Sequence, residues 1–231
     1  MPDIKKYAVI VAGGKSTRMG KVTPKQFLSL LGKPLLFYSI NAFIKAFPDI
    51  QIILVLPEKD LSYKEFIMLS FPGGVLNLSV VAGGETRYQS VQNGLNAIND
   101  ECVIFIHDGA RPLVSVELIK RCYEQAQAAG NAVPAIPVTE SIRLVEEDRS
   151  LPINRDQLRI IQTPQTFHSE IIKPAFGQPY NSLFTDEATV VEAAGINVHL
   201  IHGEQCNIKV TTHEDIAIAE ALLKVHYNVK L

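Results

Sequence analysis

Glycines and cations recur in this chain just after apolar runs, a combination suited to binding phosphate. The first instance is Ala12-Gly13-Gly14-Lys15-Ser16-Thr17-Arg18-Met19-Gly20, which follows Tyr7–Val11. Glycines let backbone N–H groups approach phosphate oxygens, and consecutive N–H groups in such loops form anion-binding concavities. A plain solvated turn would not need three glycines, Lys15 and Arg18 in nine residues. The loop also departs from two common glycine motifs. Gly14-Lys15-Ser16 matches the end of GxxxxGK[ST], but Val9 stands where the first glycine belongs. The spacing GxGxxG is absent as well, which removes support for P-loop kinase and dehydrogenase chemistry.

Further candidates follow the same logic. Pro24-Lys25-Gln26 lies in the same connection as Arg18. Gly83-Gly84-Glu85-Thr86-Arg87-Tyr88-Gln89-Ser90 leads from an apolar run into a helix start. His107-Asp108-Gly109-Ala110-Arg111-Pro112 ends the run Val103–Ile106. An aspartate there is placed to face a metal–triphosphate or a sugar hydroxyl, and Arg111 can grip phosphate through two nitrogens. His107, ending a strand, reads as a hydrogen-bonded structural residue. Thr185-Asp186-Glu187-Ala188 and Asn207-Ile208-Lys209-Val210-Thr211 carry less by themselves. Lys209, inside a short apolar run, must aim its ammonium at something polar or stay outside. No histidine sits in the glycine-elbow context of a Ser/His/Asp hydrolase, and no metal-site spacing appears.

The elements that position these residues alternate between strand and helix. Strands are expected at Tyr7–Ala12, Gln51–Leu56, Leu78–Val81, Cys102–Ile106 and Ala132–Pro137. Runs such as Ile52-Ile53-Leu54-Val55-Leu56 are apolar on both faces, the mark of a parallel strand covered on both sides. Helices are expected at Pro34–Ala46, with Leu35, Tyr38, Ala42 and Ile44 inward, at Tyr88–Ile98, and at Ser115–Ala129 behind an N-cap serine. A last helix opens on the capping box Thr211-x-x-Glu214. The expected fold is α/β: a doubly wound, mostly parallel sheet flanked by helices, Rossmann-like in kind. Ligands in such folds bind at the carboxyl ends of the strands. Residues 139–162 break the alternation. Ile142–Val145 and Leu151–Ile153 flank a polar turn and form a projecting β-hairpin arm, and since an isolated hairpin is marginal in water, a second subunit is its natural support. Residues 1–231 read as a single domain carrying this arm.

Bulk properties narrow the class. Hydrophobic residues make up 47% of the 231, enough for a large core, and the net charge of −2 gives no sign of a nucleic-acid surface. Cys102, Cys122 and Cys206 are far apart and odd in number, so a disulfide framework is not expected. No apolar run approaches the roughly 20 residues of a membrane helix. A cytoplasmic protein without membrane or nucleic-acid partners is expected.

Taken together the runs resemble the 2-C-methyl-D-erythritol 4-phosphate cytidylyltransferase family of the non-mevalonate isoprenoid pathway. The resemblance includes Gln162-Thr163-Pro164-Gln165-Thr166-Phe167 and spans nearly the whole chain in order. It implies transfer of CMP from CTP to methylerythritol phosphate, a divalent metal (usually Mg²⁺), and a homodimer in which one subunit's arm completes the other's site. Arg18, Lys25 and Lys209 would contact the triphosphate and carry catalysis. Backbone of Ala12, Gly13 and Gly14, with Gly84 and Ser90, would read cytosine, with Arg87 on the same CTP-binding surface and Gly109 and Ala110 near the ribose. Asp108 and Arg111 would face the acceptor, joined by Ser141, Arg155 and Thr163 from the partner's arm and completed by Thr185. The metal would be held mainly by the triphosphate, with Asp108 as the candidate protein donor. Ser141 stands where the family usually has threonine and keeps the hydroxyl, while Lys15 adds a cation without a matching role. The related ribitol-5-phosphate cytidylyltransferases share most of the motifs, and Gly109-Ala110 with Glu187-Ala188 favours methylerythritol phosphate over ribitol 5-phosphate. A non-catalytic nucleotide-binding regulator is the remaining alternative, disfavoured because all three triphosphate cations are present.

Overall fold

The computed structural model describes residues 4–13, 27–71 and 77–226. Gly14, Arg18 and Lys25 lie outside the described residues, as does Lys15. The elements run β1 (Lys5–Val11), β2 (Ser29–Leu30), β3 (Lys33–Pro34), α1 (Leu35–Ala46), β4 (Gln51–Leu56), α2 (Tyr63–Leu69), β5 (Leu78–Ala82), α3 (Arg87–Asn96) and β6 (Cys102–Asp108). They continue with α4 (Val116–Ala129), β7 (Asn131–Pro137), β8 (Arg143–Glu146), β9 (Arg149–Pro152), β10 (Arg159–Ile161), β11 (Gln165–His168), α5 (Ser169–Ala175), α6 (Glu187–Ala193), β12 (Leu200–His202) and α7 (His213–His226).

The main sheet has the order β10-β7-β11-β6-β1-β4-β5, with β12 paired to β7. β6, β1, β4 and β5 are mutually parallel, and β12 is parallel to β7. Side chains alternate faces along a strand, and the core divides accordingly. Ile52 and Leu54 pack with Leu36, Ile40, Phe43 and Leu118, on the α1 and α4 side. Ile53 and Val55 pack with Val91, Leu95 and Ile172, on the α3 and α5 side. Every residue of β6 is buried. The doubly covered sheet expected from the two-sided apolar runs is present.

The departures have physical reasons. β11 lies between β6 and β7 and runs antiparallel to both. Its segment Gln165-Thr166-Phe167-His168 lacks an apolar run, yet Gln165 is buried. It donates from Nε2 to Asp186 Oδ2 at 2.9 Å and accepts at Oε1 from Ala188 N at 2.8 Å. Hydrogen bonding replaces hydrophobicity there, so the strand leaves no periodic trace. On α1 the inward stripe is Leu36, Ser39, Ile40 and Phe43, not Tyr38, Ala42 and Ile44, which are only partly buried. Ser39 conceals the stripe because it is polar, but its Oγ donates to Arg111 O at 3.1 Å. The cap of α7 is shifted by one residue from the expected frame. Thr212 precedes the helix, and the Asp215 carboxylate accepts from Thr211 N at 2.7 Å and Thr212 N at 2.8 Å. Two overlapping frames existed in the sequence, and the helix adopts Thr212-x-x-Asp215.

The arm is β8 paired antiparallel with β9, Leu144 facing Leu151, each strand starting within one or two residues of expectation. Glu147 takes a left-handed conformation, φ 45°, in its turn. Arg143 donates to Ser150 Oγ and O, and Arg149 pairs with Glu146. All eight strand residues of the hairpin are exposed, Val145 at 71%.

Candidate active site

The parallel register places four strand ends side by side. Val11 of β1 lies opposite Asp108 of β6, and Gly109 N donates to Val11 O at 2.9 Å. Ala12 N donates to Val55 O at 2.9 Å, and Gly83 N to Leu56 O at 2.7 Å. A Cβ on Gly109 would sit 3.2 Å from Ala12 Cβ and 3.3 Å from Val11 O, so this close approach of two chain exits requires glycine. Thr86 and Gln89 form a capping box that opens α3. Within that turn Ser90 Oγ accepts from Gly84 N at 3.1 Å and donates to Thr86 O at 2.9 Å. A Cβ on Gly13 would lie 3.5 Å from Ser90 Oγ. Ala12, Gly13, Gly84, Ser90, Gly109 and Ala110 therefore gather along one edge of the sheet.

Asp108, 7% exposed, is the hub of the charges at that edge. Lys209 Nζ lies 2.8 Å from Asp108 Oδ2, Arg111 Nε 3.7 Å from the same oxygen, and Arg87 Nη2 3.3 Å from Oδ1. Arg87 Nη1 and Nη2 also donate to the carboxylate of fully buried Glu187, at 2.5 and 3.0 Å. Burial pushes the Asp108 carboxyl upward, but Arg87, Lys209 and Arg111 outweigh it and hold the group well below the usual carboxylate range. Three cations meet two carboxylates, an arrangement with one positive charge in excess that suits an anionic ligand.

Behind the hub lies a buried polar network. His107 Nε2 donates to Arg111 O at 3.1 Å, since a carbonyl can only accept. Nδ1 then accepts from the Thr163 hydroxyl at 3.0 Å, and Thr163 Oγ1 accepts from Asp108 N at 3.0 Å. Arg111 Nη1 donates to Asn207 O at 2.7 Å, and Asn207 Nδ2 to Thr163 O at 2.8 Å. The structural reading of His107 agrees with these bonds. Burial pushes His107 down to about 4 from the ordinary 6.5, with Asp108 pulling the other way. The unfolded chain therefore binds this proton at higher pH than the folded one. The contribution is fully present above about 6.5 and is lost as pH falls towards 4. Over that interval the wild-type chain is expected to lose about 3 kcal/mol more stability than His107→Gln, measured as urea midpoints at a series of pH values. Equal pH slopes for the two chains would show that His107 is not buried neutral.

A family model described as 2-C-methyl-D-erythritol 4-phosphate cytidylyltransferase matches residues 7–225. The chain belongs to the 2-C-methyl-D-erythritol 4-phosphate cytidylyltransferase family. A relative of that name from Bacteroides thetaiotaomicron is 43% identical over 220 residues, covering 95% of this chain and 100% of its own. One from Clostridium botulinum is 39% identical over 221 residues, covering 94% and 98%. The crystal structure of 2-C-methyl-D-erythritol 4-phosphate cytidylyltransferase from Thermus thermophilus superposes with a TM-score of 0.72 at 30% identity, over 94% of this chain and 98% of that one. The 4-diphosphocytidyl-2C-methyl-D-erythritol synthase structure from Anaerococcus prevotii gives a TM-score of 0.80 at 27% identity, over 96% and 99%. Like its relatives, this cytidylyltransferase-family chain is a nucleotidyltransferase built on a mostly parallel, helix-flanked sheet.

The other positions implied by the cytidylyltransferase resemblance fall into distinct places. Ser141 and Arg155 are exposed on the arm side, and Arg155 Nη1 donates to Thr139 O at 2.6 Å. Neither makes a described bond to the Asp108 cluster. Thr163, assigned with the partner's arm, is instead buried beside Asp108 of its own chain, because β11 follows it into the sheet. Thr185 is exposed, two residues before Glu187. Arg87, expected on the CTP surface, has its guanidinium engaged by Glu187 and Asp108. Glu187, Asn207 and Gln162 also belong to the charged and polar network of the site. Gln162 Nε2 donates to Glu204 O at 2.8 Å and braces the segment carrying Asn207. Their signal was present only as motif neighbours of Thr163, Thr185 and Lys209.

Proposed function

We propose that this chain transfers CMP from CTP to 2-C-methyl-D-erythritol 4-phosphate and releases pyrophosphate, in isoprenoid precursor biosynthesis. The observation that carries the reading is the convergence of Lys209, Arg87 and Arg111 on Asp108, beside the glycine-lined exits of β1 and β5. An acceptor phosphate oxygen attacks the α-phosphorus of CTP. A new P–O bond forms, the bond to the bridging oxygen of the β-phosphate breaks, and that oxygen leaves with pyrophosphate. Both reactants are anions, so positioning and charge neutralisation supply most of the acceleration.

A phosphate monoester is largely deprotonated near pH 7, its second pKa being about 6, so the chain need supply no general base. His107 is held neutral and bonded at both nitrogens. Burial pushes the Cys102 and Cys122 thiols up to about 11 and 12. Lys209, with 42% of its side chain exposed, is tethered by Asp108 on one side and open to the triphosphate on the other. Arg18 and Lys25 complete the phosphate grip in this reading. Among the described residues, no three His, Cys, Asp or Glu side chains form a metal-holding group. In this reading the triphosphate carries the cation in, and Asp108 is the candidate protein donor, which would exchange Lys209 or Arg87 for the metal at one of its oxygens. Bound Mg²⁺ supplies further charge neutralisation at the phosphates.

The exposed Leu144, Val145 and Leu151 support a homodimer in which the arm carries Ser141 and Arg155 to the partner's acceptor pocket. The three cysteines form no disulfide, and no helix among the described residues is long and apolar enough to cross a membrane; a cytoplasmic location is part of the proposal. A pyrophosphate-release assay crossing the four nucleoside triphosphates with methylerythritol phosphate and ribitol 5-phosphate tests the function. Release is expected with CTP and methylerythritol phosphate. Preference for UTP or for ribitol 5-phosphate overturns the assignment, and binding of CTP without release under any pairing favours a regulator. Sedimentation should give twice 25.5 kDa, and removal of residues 143–152 should yield monomer.

A further inference from the structure

Glu187 stands in the first turn of α6 with no exposed surface, and its carboxylate takes both terminal nitrogens of Arg87. Arg87 in turn directs Nε and Nη2 at one oxygen of Asp108, each at 3.3 Å, while Lys209 holds the other oxygen at 2.8 Å. Four charges thus form one chain across α6, α3, β6 and the segment before α7. The Glu187 end is clamped. Asp186 caps α6 by accepting from Thr189 N at 2.9 Å, and Gln165 bonds both Asp186 and Ala188 N. Fold stability alone does not call for this arrangement, because a buried ion pair can be replaced by apolar side chains of similar volume at little or no cost.

We propose that Glu187 is a positioning residue: by anchoring Arg87 it fixes the Asp108 carboxylate so that one oxygen meets the guanidinium and the other is left to Lys209. The effect reaches the reaction through Asp108, and so the proposal rests on the function given above. Glutamine at position 187 keeps the shape but turns an amide donor towards a guanidinium that can only donate. The two-pronged grip is lost and Arg87 shifts.

With Glu187→Gln, kcat/KM for methylerythritol phosphate at saturating CTP is expected to fall about tenfold or more, with KM for CTP little changed. A second variant, Arg87→Met with Glu187→Leu, replaces the pair by apolar groups. Its thermal midpoint should return towards wild type while kcat/KM for the acceptor stays low. If Glu187→Gln keeps the wild-type acceptor kcat/KM, or if the double variant regains activity together with stability, the positioning role is overturned. A crystal structure of Glu187→Gln supplies a readout independent of turnover. Arg87 displaced from Asp108 supports the role, and Arg87 in place refutes it. Should the wild-type chain release no pyrophosphate from CTP and methylerythritol phosphate, the function above fails, and this crystallographic result still decides the geometry.

Discussion

Replacing Lys209 by alanine is expected to lower turnover by roughly 10²–10³-fold, about 3–4 kcal/mol of transition-state stabilisation. The side chain is set for this role by its neighbours. Asn207 and Val210 are fully buried, and Val210 N donates to Ala110 O at 2.8 Å, so the backbone around Lys209 is held against the β6 exit. The ammonium reaches Asp108 Oδ2 at 2.8 Å. Because 42% of the side chain is exposed and Asp108 keeps Arg87 and Arg111, its loss leaves the fold intact, and the melting midpoint of the variant should fall by no more than a few degrees. The loss should therefore appear in kcat, measured by pyrophosphate release at saturating CTP and acceptor. Near-normal turnover in Lys209→Ala would sink the charge-neutralisation mechanism.

Replacing Asp108 by asparagine is expected to abolish turnover within assay sensitivity and to destabilise the fold by about 3 kcal/mol, the lower end of the cost of breaking a buried ion pair. Arg111, buried beside it, loses its counter-charge, whereas Arg87 retains Glu187 and Lys209 retains water. Those retained partners are why the lower end applies. The pH dependence has a definite sign. The folded carboxyl is held below the unfolded value of about 3.9, so its contribution is present above that pH and is lost as pH falls further. The stability gap between wild type and Asp108→Asn should thus be full at pH 7 and narrow below about pH 4. Urea unfolding at both pH values measures it. A variant as stable as wild type at pH 7 would show that the cluster does not hold the β6 exit.

Both effects concern residues visible in the sequence, but for reasons only partly visible there. The apolar run Ile52–Leu56 announced a strand buried on both faces because that property is local, repeating every residue or two along the chain. Ser115 and the glycines at 13, 84 and 109 were legible for the same reason, since caps and close turns are decided within a few residues. β11 was not legible, because Gln165 at its start is buried by bonds at α6 rather than by apolar contact. The inward face of α1 was misplaced because Ser39 is buried through a bond to Arg111, distant in sequence.

The amino-acid sequence by itself determined the strand–helix alternation, the strand ends where glycine and charge gather, and the identity of Asp108, Arg111 and Lys209 as residues of interest. Only the tertiary structure decided how they are joined. Arg87 and Glu187, 100 residues apart, became one ion pair, Thr163 joined its own chain's Asp108, and His107 became a neutral brace. Periodicity and capping are short-range and leave a local pattern, whereas the pairing of buried charges depends on which side chains, distant in sequence, the fold brings within about 3 Å of each other.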